Sequence, residues 1–222
     1  MIQHTFGLLT RPSNQWKVIS ELPESSFRTL LIYPWILAIL PAVAWYYGTS
    51  QVGWSVGDQG DIIKLTEASA RQICILFYLA MVACVSVIGY FIHWMSDTYG
   101  AESSVTKGIV IAGLTATPLF IAGASGFYPV LWLDMLVGVA AICWAVYLMY
   151  LGIPIIMDIP EERGFLFSSA VMGVALVILI CLRVGSVIVW DCGAAPGFTV
   201  CPRGRARECV LLCFLELNRE RA

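Results

Sequence analysis

Apolar residues in this chain neither alternate nor recur at helical spacing between polar ones; they run on uninterrupted. Five stretches, near residues 29–47, 72–94, 107–127, 131–151 and 164–190, are long enough to cross a bilayer. A crossing helix needs about 20 predominantly apolar residues. The pattern predicts an all-α polytopic membrane protein, a bundle of five transmembrane helices. Residues 1–28 are then a short N-terminal segment, 29–190 the membrane domain and 191–222 a C-terminal tail. Ala42-Val43-Ala44 in the first run resembles a signal-peptide cleavage site. The segment ahead of that run is too long for an n-region and the run too long for an h-region. It is read as a retained span.

Composition agrees with the pattern. Hydrophobic residues make up 59% of the 222 and charged residues 13%, with a mean hydropathy of +0.81. A soluble domain carries roughly 45–50% apolar and 25% charged residues. The net charge of −2 comes without a basic face, so nothing points to nucleic acid. Lysine and arginine near the spans predict the orientation. Arg11, Lys17, Arg28, Lys107 and Arg163 share the side of the N-terminus, whereas Lys64 and Arg71 lie on the other. That places the N-terminus inside, with residues 48–69 and the C-terminus outside. The tail adds Arg203, Arg205, Arg207, Arg219 and Arg221 to the outer side, discounted because earlier spans usually set topology.

Punctuation between the runs refines the picture. "RPSNQWKVISEL" fits either an interfacial helix or an irregular solvated segment. The helix would have Ser13 as N-cap and Trp16, Ile19 and Leu22 dipping into headgroups. In "YLGIPIIMDIPEERG", Gly152 suits the left-handed residue that ends a helix and Pro154 stops its continuation. Pro160 suits the next first turn, where Glu161 and Glu162 complement the helix dipole. The tail turns arginine-rich and cysteine-rich. It reads as a surface helix or as sequence not native to the fold. Its Cys192, Cys201, Cys209 and Cys213 fit no zinc spacing.

The third run, "TATPLFIAGASGFYP" at its centre, holds a helix breaker inside apolar sequence. Pro118 removes the donor for the Leu114 carbonyl, an orphan costly in lipid. Thr117 can fold its hydroxyl back onto that carbonyl, a repair that itself bends helices. Gly108, Ala112 and Ala116 form one small-residue ladder, with Gly113 and Thr117 another beside it. Small residues let helix backbones approach closely in lipid. The third span is therefore expected to be bent, central and packed on its neighbours.

Two ionisable residues fall inside spans, Asp134 in the fourth and Arg183 in the fifth. Charges at such positions are costly and are functional candidates. Both lie near the outer surface at similar depth, so they either pair or each snorkel to the interface. His93 closes the second span beside Trp94 as an interfacial anchor, and Ser168-Ser169 reads as a helix-packing pair. No catalytic, cofactor-binding or metal-binding motif is apparent, and His4 and His93 lack a partner at useful spacing.

"GTSQVGW" after the first span, "ATPLF" in the third, "YLGIP" ending the fourth and "GFLFSS" opening the fifth resemble, in this order, the Yip family of membrane proteins. The small bacterial members are the most similar, over about residues 6 to 190. The resemblance implies a five-helix bundle in the bacterial inner membrane with a cytoplasmic N-terminus. Eukaryotic relatives associate with Rab GTPases and with one another. The N-terminal segment here is shorter than those relatives use, so the resemblance does not carry GTPase binding over. The expected role is non-enzymatic: organising membrane proteins, a second copy or lipids through helix–helix contacts. The alternative is a small transporter or channel subunit using the bent third span with Asp134 and Arg183. Five spans without an inverted repeat speak against it.

Overall fold

The computed structural model describes residues 7–55, 62–101, 103–189 and 197–201. Among the described residues, four helices are long and apolar enough to cross a membrane, or five when one bent pair is taken as a single broken span. Span one is Ser25–Val52, span two Glu67–Tyr99, span four Leu131–Met157 and span five Glu161–Ile188. Span three is Val105–Thr115 with Thr117–Phe127, meeting at 41°. The chain is thus an all-α polytopic membrane protein. The ends of the bundle are called proximal, where the N-terminal segment lies, and distal, where residues 48–66 lie.

Span one is itself assembled from pieces: Glu24–Leu30, Tyr33–Leu37, Ile39–Tyr47 and a wide turn over Gly48–Val52. Pro34 and Pro41 each fall in the first turn of a piece. A proline is tolerated there because the missing N–H would lack an intrahelical acceptor anyway. These same prolines are what span one presents to span three. A Cβ on Gly113 would stand 2.7 Å from the Pro34 ring. One on Gly123 would strike Pro41, and one on Gly126 would stand 2.8 Å from the Trp45 indole. Spans two and three cross more tightly still. A Cβ on Gly108 would run into the Gly89 carbonyl, and one on Gly89 into the Ile109 backbone. The two ladders seen in the sequence therefore face different neighbours, Gly108 toward span two and Gly113 toward span one.

Span three joins two apolar clusters. Ile111, Ala112 and Phe120 pack with Val85, Ile92, Ile153, Phe167 and Val171 from spans two, four and five. Val110 and Leu114 pack with Trp16, Phe27, Tyr33 and Leu148. Every residue from Val110 to Thr115 is buried, as expected of a central helix that is apolar all round.

Three expectations need correction. The N-terminal helix is Pro12–Ser20 with Arg11 in the cap position and no side-chain cap, so Ser13 lies within it. Trp16 and Ile19 are fully buried against protein rather than dipped into headgroups, and Leu22 packs on the same cluster. Gly152 and Pro154 do not end span four, which continues to Met157 and closes at Asp158 with φ 49°. Gly152 is small for another reason: a Cβ there would stand 2.7 Å from the Trp16 ring. Pro154 likewise packs on Gly164 at the start of span five. Glu161 and Glu162 do occupy the first turn of that helix, after Pro160.

The loops also form strands that apolar periodicity did not signal. β1 (Trp54–Ser55) and β2 (Ile62–Leu65) pair antiparallel, and β2 pairs with β3 (Phe198–Cys201) from the tail. The Gly197 N–H donates to Ser69 Oγ at 3.0 Å, tying the tail to the start of span two. Residues 202–222, with Cys209 and Cys213, lie outside the described residues, as does Cys192.

The glycine contacts set a stability order. Gly108→Ala and Gly113→Leu should each destabilise the detergent-solubilised protein, by about 1–3 kcal/mol, because neighbouring atoms must move. Gly173→Leu, at a position with nothing within 4 Å, should stay within about 0.5 kcal/mol of wild type. Thermal unfolding of the three variants checks the order. Wild-type stability for Gly108→Ala would overturn the close-crossing account.

Candidate functional site

The bend in span three is where buried polar groups meet the packing seam. Thr117 and Pro118 are both buried. Thr117 Oγ1 lies 3.5 Å from the Gly113 carbonyl, one residue earlier than the Leu114 carbonyl expected from sequence. The reach is a full turn, i to i−4, which is the usual alternative for threonine back-bonding. A second partner comes from span one: Tyr33 Oη lies 3.2 Å from Thr117 Oγ1 in the buried interior. With the threonine proton directed to Gly113, the tyrosine donates. The chain Tyr33 O–H, Thr117 O–H, Gly113 C=O thus spans the bend and fastens it to span one. Beside it, the Thr115 hydroxyl is buried without a partner.

Sequence reasoning identified Gly113, Thr117 and Pro118 and missed Tyr33 and Pro34. A tyrosine followed by proline in the middle of an apolar run was the available signal. Which helix it would meet was not legible.

Asp134 and Arg183 do not pair. Both Asp134 carboxylate oxygens are buried with no hydrogen-bond partner, and Arg183 stands exposed on span five. The reason is packing rather than depth. Spans four and five touch at their proximal ends, where Tyr150 Oη and Ser169 Oγ are 2.9 Å apart. The Tyr150 and Phe165 rings there sit 5.2 Å apart, while Tyr99 stacks on Phe167 at 4.9 Å. After Val171 no residue through 188 is buried, so the distal half of span five leaves the bundle. Ser169 joins the helices as a packing residue, whereas its neighbour Ser168 is buried with an unpartnered hydroxyl. His93 is not simply an interfacial anchor, because its Nδ1 is buried and unpartnered while Trp94 next to it is exposed. Among the described residues no group of three His, Cys, Asp or Glu side chains could hold a metal ion.

Comparison with known proteins adds a family. The Yip1 domain profile matches residues 6–182. Inner membrane protein YohC of Escherichia coli K12 is 36% identical over 192 residues, covering 86% of this chain and 98% of that protein. The YohC of Escherichia coli O6:H1 matches to the same extent. No solved structure matches the chain.

Two double-mutant cycles test the geometry. Tyr33→Phe and Thr117→Val should couple, by about 0.6 and at most about 1.7 kcal/mol, the range for hydrogen bonds between membrane helices. Asp134→Asn and Arg183→Gln should instead add to within about 0.3–0.5 kcal/mol, as separate sites do. Coupling in the second cycle, or additivity in the first, would contradict the arrangement described.

Proposed function

We propose a non-enzymatic role for this chain, which belongs to the Yip1 domain family: it organises other membrane-embedded helices against spans four and five. The observation that carries this reading is packing capacity left unused on one side. Gly89, Gly108, Gly113, Gly123 and Gly126 are all filled by neighbouring spans, whereas Gly138, Gly173 and Gly185 meet nothing within 4 Å. Close approach over small residues is a main source of helix association in lipid, where the hydrophobic effect between helices is absent. The distal half of span five carries such residues with no partner among the described residues. A second copy of the chain is the first occupant to test, and another membrane protein the second.

The setting supported is the bacterial inner membrane, as the names of the Escherichia coli relatives suggest. The proximal end is then cytoplasmic, following the lysine and arginine bias. A soluble GTPase partner finds less support, because Leu8, Trp16 and Ile19 are spent on packing the N-terminal segment against the bundle. A transport role finds less support as well, since the bend in span three is fastened to span one by Tyr33 and filled by Pro34.

Single cysteines in a cysteine-free background test both parts. Val52→Cys should react with an impermeant thiol reagent in intact cells and Asp158→Cys only after lysis; the reverse would invert the topology. Oxidative cross-linking in native membranes should give protein adducts from Gly138→Cys and Gly173→Cys well above those from Val87→Cys, an exposed site on span two. Equal, sparse adducts at all three would remove the partner face.

A further inference from the structure

We propose that the groove between spans one and two at the distal end holds the acyl chain of an anionic phospholipid, with its phosphate on Arg71. This site is separate from the partner face on spans four and five.

The groove is open-sided and offers about 490 Å³, a volume in the ~300–1,000 Å³ range of sites that hold small ligands. Its two walls repeat one helical spacing. Ile39, Val43 and Tyr46 line it from span one, and Arg71, Ile75 and Tyr78 from span two. Positions i, i+4 and i+7 share a helix face. The helices run in opposite directions, so Ile39 lies level with Tyr78 at the deep end and Tyr46 with Arg71 at the mouth. The deep end is closed by a hydrogen bond, from Tyr78 Oη to the Trp35 carbonyl at 3.3 Å. Above that bond the walls stand apart, leaving Ile39, Val43 and Ile75 about half exposed along the open side. Arg71 and Tyr78 are seven residues apart, so the groove descends about 10 Å at 1.5 Å per residue. One leaflet contributes about half of a 30 Å hydrocarbon core. The groove therefore follows a chain through most of the distal leaflet.

The mouth supplies the headgroup chemistry. The Arg71 side chain makes no ion pair or hydrogen bond among the described residues, and Glu67, one turn away on the same helix, does not engage it. A guanidinium fork matches two phosphate oxygens at once and is less strongly hydrated than an ammonium. The Tyr46 ring lies at the same level, where an amphipathic aromatic belongs at the membrane interface. Among the described residues no acidic side chain lines the groove, so none of them would hold the ammonium of an ethanolamine headgroup. The chemistry favours a lipid with net negative charge, phosphatidylglycerol over phosphatidylethanolamine.

Native mass spectrometry of the full chain released from nanodiscs tests this, with equal phosphatidylglycerol and phosphatidylethanolamine supplied. Wild type should retain phosphatidylglycerol in preference. Arg71→Gln should lower that retention about tenfold, the loss expected for a hydrogen bond to a charged group, and abolish the headgroup preference. Arg71→Lys should keep part of it. Ala42→Trp, which fills the groove from its wall, should remove retention of either lipid. If that variant does not fold, Val43→Trp at a half-exposed rim position takes its place. Retention unchanged by Arg71→Gln, or by the folded tryptophan variant, overturns the proposal. So does full displacement of the lipid by glycerol phosphate, which would make the site one for a free phosphate. Oxidation that links Cys74 to Cys74 of a second copy, unprotected by phosphatidylglycerol, would make the groove a chain–chain contact and equally overturn it.

Discussion

Spans one and three hold the bundle together by an unusual complementarity: the prolines that break one helix fit the glycines that thin the other. Pro34 rests on Gly113 and Pro41 on Gly123. In a membrane there is little hydrophobic gain from joining two apolar helices, because lipid tails are as apolar as leucine. What remains is dispersion between closely fitted surfaces, and that falls steeply with a gap of even half an ångström. Bulky rings on a bent helix need recesses at matching heights, and glycine supplies them. The bend of span three keeps its recesses in step with the broken course of span one, and Tyr33 with Thr117 adds a directional bond at the point of bending.

Around this seam the other elements take up what space is left. Span two crosses span three backbone to backbone at Gly89 and Gly108, and the N-terminal helix fits its Trp16 against Gly152 of span four. The proximal end is accordingly dense. The distal end is looser: the groove between spans one and two is open along one side, and span five stands away from its neighbours beyond Val171. The same contrast separates Asp134 from Arg183. Two residues at one depth meet only if their helices are in contact at that depth, and here contact ends half a bilayer earlier.

Much of the architecture could be read directly from the chain. The length of the apolar runs marked which segments could cross, since a helix satisfies its own backbone polar groups in lipid. Pro118 located the bend to within two residues of the break at Ala116, because proline lacks the N–H that a continuous helix requires. The small residues of span three marked it as the central helix. Glu161 and Glu162 marked the start of span five. These are local properties of backbone chemistry, and they act wherever the segment ends up.

The partners of each small residue were decided by tertiary structure alone. Gly152 reads as a helix terminator in isolation, and only the indole of Trp16, 136 positions earlier in the chain, gives it a reason to lie mid-helix. Pro154 is carried within span four because its ring packs on Gly164. The short strands formed because residues 62–65 and 198–201 were brought side by side by helices between them. A glycine in sequence states only that a side chain is missing. Which atoms occupy the space depends on how the helices cross, and that is a property of all their surfaces together.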